Sequence, residues 1–518
     1  MSIKKLAMLT ISVCTCLFMP LVCLDQKKEL PLVVLIPSFN NKAWYKRNLD
    51  TVFYQNYENY RVIYIDDYST DGTADLVEKY VKECGQQHRF TLIKNKTRVR
   101  AMANLYRGFQ LCGDDEIILT YDGDDWFAHE HVFELINDVY QQRNEKGVDV
   151  WLTYGFFKNW PSGKLGYLKP VTDQMVENQL YRKKWWAPGQ LRTFYGWLAK
   201  QIKLKDLIFT GPYFQGQFFP ANYDLAIYYP MMEMAGYHFK RIDEPIYVRN
   251  VQTELNDFKV NKEVQVLGSH IIRTQKELYP KVHNNLSGYF DTFKKSQADI
   301  VIFSADKPKQ LEQLLVSIEQ FVYSQGNVVV VYYAQDEYQQ AKYQQLELVF
   351  DNVEFVQYAG DSNMSLSSLL GLVLTRLENK HLLFMFDGMV FNQFIDLQWC
   401  IEKLERTFAY CFMLGLDKNR DVSNFTGHIQ RMPPFFQLED NLFGWMIGFG
   451  QNDWRVYHTI SGALYRTNDV LRIIQKSVFN TPQQFAAYWQ QYTIDLEHVA
   501  LCFDKPKIGM AHWSMPVY

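Results

Sequence analysis

Ile117–Glu130 reads IILTYDGDDWFAHE, an apolar, strand-forming run that meets three carboxylates, Asp122, Asp124 and Asp125, within four positions. Like charges this close repel, so a chain keeps them either in water or around a cation. One reading is a solvated turn opening a helix, where Asp suits the N-terminus. The other is a metal site at the carboxyl end of a sheet strand. The neighbouring sequence decides between them.

Three strand-and-helix units precede the cluster. LVVLIPSF (32–39), YRVIYIDDYS (60–69) and FTLIKN (90–95) read as strands, and AWYKRNLDTVFYQ (43–55), TADLVEKYVKEC (73–84) and ANLYRGFQLC (103–112) as helices. EIILTYDGDDW (116–126) is then the fourth strand. This alternation predicts βαβ units and a parallel sheet with both faces covered. Right-handed crossovers place the strand carboxyl ends along one edge, where open α/β sheets bind ligands. A second acidic pair, Asp66 and Asp67, falls on that same edge, which turns the balance toward a site. Ser69, Thr70 and Asp71 are capping candidates for the following helix, and Gly72 permits the tight turn into it.

The chain of 518 residues is too long for one ordinary core, and its 47% hydrophobic and 21% charged residues are those of a folded protein. A net charge of -3 without a basic tail makes no case for a nucleic-acid partner. Five cysteines beyond residue 24 are scattered without a CxxC pair, against a zinc site or a disulfide-dense scaffold. Asn-x-Ser/Thr sequons stand at Asn95, Asn285, Asn363 and Asn424. Residues 1–24 combine a basic head, MSIKK, with an uncharged run from Leu6 to Leu24: a signal peptide or a signal anchor with membrane attachment through residues 6–24. The expected localisation is the secretory pathway or export.

After Val148, DVWLTYGFF (149–157) reads as a strand. An aromatic stretch through Trp160, Trp185, Trp186, Phe194, Tyr195 and Trp197 follows, able to line a groove or to pack a core. NYDLAIYYPMMEMAGY (222–237) reads as a helix with Asp224 near its start and Gly236 as its stop. From Gln297 the order repeats: ADIVIFS, LEQLLVSIEQFVY, NVVVVYY, YQQAKYQQLELVF, VEFVQY, and then HLLFMFDGMVF, an apolar strand ending in Asp387-Gly388. This is an internal structural duplication in which only one of three carboxylates remains.

Val33 to about Val260 resembles the family 2 glycosyltransferases of the GT-A fold. LIPSFNN (35–41) is similar to their opening strand and loop, IDDYSTDGT (65–73) to their DDxSxDGT segment, and YDGDDW (121–126) to their DxD-type motif. QLRTFYGWL (190–198) and YDLAIYYPMMEMAGY…EPIYVRN (223–250) resemble the acceptor-side portion of some members. The resemblance implies a Rossmann-like, mostly parallel sheet flanked by helices in residues 31–290. A second, degenerate unit of the same type is expected in residues 297–518.

It also implies roles. A nucleotide-sugar donor carries a diphosphate whose departure develops negative charge, and a divalent cation (Mn2+ or Mg2+) held by carboxylates neutralises it. Asp124 and Asp125 would serve the metal, with Asp124 and Asp122 also at the donor. Asp67, with Asp66, would accept a hydrogen bond from the base, and Pro37 and Phe39 would form the nucleotide wall. Arg192 and Arg249 would bind the diphosphate or shape the acceptor side. Asp224 would be the general base that deprotonates a glycan, lipid or protein acceptor in an inverting transfer. Two departures from the family pattern stand out: Tyr223-Asp224 where Glu-Asp is frequent, and Arg98 and Arg100 where small residues are usual. The rival readings are a secreted carbohydrate-binding pseudoenzyme and a haloacid-dehalogenase-like phosphatase. The latter carries its DxD on the first strand, whereas here three units come first.

Overall fold

The computed structural model describes residues 28–510, except 167–168, 185–187, 254–261, 361–363, 418, 420, 422–427, 456–458 and 492–496. The N-terminal apolar run, Trp185, Trp186 and the sequons at Asn363 and Asn424 lie outside the described residues. No helix among the described residues is long and apolar enough to cross a membrane. The described cysteines are all free, four of the five buried.

The predicted alternation is present: β1 (Leu32–Ser38), α1 (Tyr45–Phe53), β2 (Tyr60–Asp66), α2 (Thr73–Glu83), β3 (Phe90–Lys94), α3 (Arg100–Leu111) and β4 (Ile117–Thr120). There follow β5 (Trp126–Phe127), α4 (Val132–Tyr140), β6 (Leu152–Trp160), α5 (Asp173–Glu177), β7 (Arg192–Tyr195), α6 (Gly196–Lys200), α7 (Tyr223–Ala235) and β8 (Phe239–Asn250). β1 sits between β2 and β4, parallel to both, in an eight-stranded sheet of order β3-β2-β1-β4-β7-β6-β8-β5. β7 runs antiparallel to β4 and β6, so the sheet is mixed beyond its parallel core. The near-continuous apolar run of β1 follows from burial on both faces. Val33 and Leu35 join Met102 and Phe109 of α3 in one core, while Val34 and Ile36 join Leu49, Val52 and Val77 in the other. α3 lies so close to the sheet that a Cβ on Gly108 would stand 2.4 Å from a Leu35 methyl, hence glycine there.

A nine-stranded sheet holds the later residues. Its order is 353–357, 325–333, 298–305, 381–386, 463–466, 411–417, 499–503, 442–446 and 436–439. Its first seven strands repeat the pairing of β3-β2-β1-β4-β7-β6-β8 step for step: three parallel pairs, two antiparallel, one parallel. The two sheets share a core. Phe218 meets Phe436 edge-on at 5.5 Å, and Gly216, at φ +76°, leaves room for Pro434 and Phe449 where a Cβ would come within 2.9 Å. One cluster of buried apolar side chains runs through both.

Candidate functional site

The carboxyl ends of β1, β2 and β4 open into a cavity of about 630 Å³. Pro37, Phe39, Asp67, Asp122, Asp124 and Asp125 line it from the sheet edge, and Arg192, Asp224 and Arg249 from the opposite side. Of the residues expected at the donor, the metal or the acceptor, only Asp66 is left out. Its side chain turns back to accept from the Ser69 N–H at 2.9 Å and so closes the loop after β2. The expected capping by Ser69 and Thr70 is replaced: Asp71 Oδ1 accepts from the Thr73 N–H at 3.0 Å, behind Gly72 at φ +86°.

Each aspartate of the cluster stands in a different environment. Asp122 Oδ1 accepts from the Tyr223 hydroxyl at 2.8 Å and Oδ2 from the Gln190 amide at 3.3 Å. Asp125 is committed to the protein: Oδ2 accepts from the Tyr247 hydroxyl and Oδ1 from the Asn250 N–H, both at 2.7 Å. Asp124 has no side-chain hydrogen bond from another described residue. Burial, and then the neighbouring Asp122, push its carboxyl up to about 7. Burial raises Asp122 and Asp125 as well, against the Tyr223 bond in one case and the Asn250 and Tyr247 bonds in the other. Crowded, partly desolvated carboxylates tend to hold a proton unless a positive charge joins them. Among the described residues no three His, Cys, Asp or Glu side chains are arranged to hold a metal by themselves.

Gly123, between the carboxylates, is required by close approach: a Cβ would meet Asn41 Nδ2 at 2.6 Å and Ser38 Oγ at 2.9 Å. Those two side chains are bonded at 2.9 Å, and Ser38 also receives the Tyr64 hydroxyl at 2.7 Å. Asn48 of α1 ties the turn from below, donating to the Asp122 and Asp125 carbonyls at 2.9 and 2.8 Å. The acidic turn is a braced structure at the cavity edge rather than a loose surface turn.

Asp67 holds the loop between β3 and α3. Its oxygens accept from Asn95 Nδ2 at 3.0 Å and from the N–H groups of Val99 and Arg100 at 2.8 Å each. Across the cavity, Asp224 lies in the first turn of α7. One of its oxygens accepts from the Leu225 N–H at 2.9 Å and the other from the Arg192 guanidinium at 3.3 Å. α7 is itself anchored by a buried pair, Glu233 with Arg182, bidentate at 2.7 and 2.8 Å.

Tyr223, Gln190, Tyr247 and Asn250 were given no role at the site in the sequence. Tyr223 had a signal, since it stands where relatives with this motif often carry an acid; its phenol supplies a donor to Asp122 instead. The other three are joined to the cluster only by the folded chain.

Residues 33–207 match the family model described as "Glycosyl transferase family 2". The "Glycosyltransferase GlyA" of Streptococcus pneumoniae serotype 4 is 20% identical over 182 residues, 34% of this chain and 25% of that protein. EpsE of Bacillus subtilis (strain 168), which also carries a glycosyltransferase name, is 32% identical over 92 residues, 18% of this chain and 32% of that one. The chain thus spans about a quarter to a third of the curated relatives it matches. Among solved structures, residues 1–349 of TarS from S. aureus in complex with UDP-GlcNAc align with 43% of this chain and 59% of that one (14% identity, TM-score 0.32). The mannosyltransferase PcManGT from Pyrobaculum calidifontis, in complex with GDP-Man and Mn2+, aligns with 49% and 66% (17% identity, TM-score 0.33). Likenesses at these TM-scores add no weight; the family match and the sequence relatives carry the assignment. Residues 33–207 of this chain form a glycosyltransferase domain of family 2.

Proposed function

We propose that the chain transfers a sugar from a nucleotide-diphosphate donor to an acceptor hydroxyl with inversion. The observation that carries this reading is the meeting, in one cavity, of a half-buried carboxylate at Asp124 without a side-chain hydrogen bond from another described residue and an oriented carboxylate at Asp224. A divalent cation fits the donor set: Asp124 and Asp122 offer one or two carboxylates, and donor phosphates would complete a shell of the kind Mg2+ prefers. When bound it would neutralise charge on the departing diphosphate. Asp125, buried and with short bonds of 2.7 Å to both oxygens, supports the turn from behind in this reading, whereas Asp122 is half-buried and its Oδ2 holds only a 3.3 Å bond.

Asp224 takes the acceptor hydroxyl's proton as that oxygen forms its bond to the anomeric carbon and the bond to the donor diphosphate breaks. Arg192 fixes the carboxylate's orientation, which a base needs more than strength. Arg249 and Arg192 place positive charge beside the diphosphate. The parts are assigned as residues 31–290 for catalysis and 297–518 as a second unit of the same architecture, in which Lys307 stands 3.6 Å from Asp387 where the first unit has its acidic turn. The acceptor is a glycan, lipid or protein, and the site of action is the secretory pathway or beyond it, by the N-terminal segment.

The test is donor hydrolysis and transfer with a panel of nucleotide sugars and Mn2+. Asp224→Asn is expected to lower turnover about 10²- to 10⁴-fold with donor binding retained, and Asp124→Asn to abolish cation-dependent binding. Turnover indifferent to both changes would refute the site.

A further inference from the structure

We propose that Asn222 and Gln265 select the acceptor, a sugar whose neighbouring hydroxyls their carboxamides bind; the inference rests on the transferase reading above. Asn222 stands at the N-terminal boundary of α7, two residues before Asp224, where an asparagine ordinarily caps the helix with its side-chain oxygen. Here it does not cap: its backbone is left-handed, at φ +62°, and its side chain makes no capping hydrogen bond. The residue is only 7% exposed, it lines the cavity, and its Oδ1 is buried without a hydrogen-bond partner. A buried oxygen left without a donor is destabilising, so its presence beside the proposed base calls for a use.

A second element completes this wall. The helix Lys262–Thr274 brings Gln265 to the same cavity. Three residues on, Gly268 makes room for the Asn222 carboxamide, since a Cβ there would stand 2.8 Å from Oδ1. The helix is held at its far end: Arg273 donates to the Arg182 and Lys184 carbonyls at 2.7 and 2.8 Å, and Arg182 to the Ile272 carbonyl at 3.0 Å. Arg182 also pairs with Glu233 of α7, so the two carboxamides sit on elements pinned to each other. A carboxamide turns easily about its last bond and offers both a donor and an acceptor. A hydroxyl likewise gives and takes, so the two groups match. Asp224 serves the single hydroxyl that reacts. Two carboxamides on the same cavity wall call for further hydroxyls on the same acceptor. A sugar ring carries these beside the reacting one, and a serine or threonine side chain does not. Neither carboxamide is charged, so neither would draw a lipid phosphate.

Transfer assays on the full chain test this, with Mn2+ and the nucleotide sugar that the chain hydrolyses. The acceptors are methyl glucoside and methyl galactoside with their monodeoxy analogues, farnesyl phosphate, and a peptide containing serine and threonine. Transfer is expected to a glycoside, with kcat/KM about tenfold lower for a deoxy analogue that lacks a bound hydroxyl. Asn222→Gly, which keeps the left-handed backbone free of strain, and Gln265→Ala are each expected to raise the glycoside KM about tenfold, with kcat changed less. Each is also expected to erase the preference over one deoxy analogue. A merely structural role would slow glycoside and deoxy analogue alike and leave the preference standing, which would overturn the proposal. So would transfer to farnesyl phosphate or the peptide alone, or to no acceptor while the donor is hydrolysed. A chain that neither binds nor hydrolyses any donor would overturn the transferase reading itself, an outcome distinct from these.

Discussion

Tyr247 donates its hydroxyl to Asp125 at 2.7 Å, across 122 residues of sequence, and so ties the end of β8 to the acidic turn after β4. The bond is buried, and its loss leaves a carboxyl oxygen without that donor. Tyr247→Phe is expected to cost about 1–2 kcal/mol of stability, read as a lower denaturant midpoint at unchanged slope.

The acidic turn gives the protein a pH dependence of definite sign. Asp124 titrates at about 7 in the fold and at the ordinary carboxylate value once unfolded. Between these the folded state binds the extra proton, so this group's contribution to stability is present at low pH and is lost as pH rises from about 4 to about 7. Asp124→Asn removes the penalty. In EDTA, the variant is expected to gain stability relative to the parent as pH goes from 5 to 8. Mn2+ is expected to stabilise the parent and not the variant. Denaturant midpoints at the two pH values check both.

Arg182 and Glu233 form a buried pair that pins α7, and with it Asp224, to the segments around Ile272 and Lys276, whose carbonyls also accept from Arg182 at 3.0 Å. Burial raises the Glu233 carboxyl above its usual range. Arg182→Ala strands that acid in the core and is expected to cost about 3–5 kcal/mol. A fall in melting temperature would show it, with turnover per folded molecule reduced as α7 loosens.

At Gly123, an added methyl has no room between Ser38 and Asn41. Gly123→Ala is expected to destabilise by about 1–3 kcal/mol and to displace Asp122 and Asp124 from the cavity edge. Mn2+ titration by calorimetry would register the second effect independently of the first.

The fold was readable because its signals are local. Strand runs such as LVVLIPSF and the amphipathic segment TADLVEKYVKEC carry their period in adjacent residues, and β1 and α2 lie where that period puts them. α3 begins at Arg100, three residues before ANLYRGFQLC, because Asp67 supplies the acceptor for the Arg100 N–H. No neighbouring residue announces that bond. The same limit applies within the site. Sequence order brings Asp122, Asp124 and Asp125 together, but which of them faces the cavity unpartnered is set by Tyr223, Gln190, Tyr247 and Asn250, each far along the chain. Asp66 and Asp67 are adjacent and alike in sequence, yet one closes a turn and the other holds a loop at the cavity wall.

The contact of Phe218 with Phe436, and of Gly216 with Pro434 and Phe449, has a practical meaning for anyone who cuts the chain. A fragment ending near residue 290 would turn Phe218 and Phe290 toward water, the latter now covered by Phe408. Newly bared apolar surface of this kind promotes self-association. Because apolar packing is continuous across the join, heating should produce one cooperative melt of the whole polypeptide, and the N-terminal half should express best with the residues of the second sheet attached.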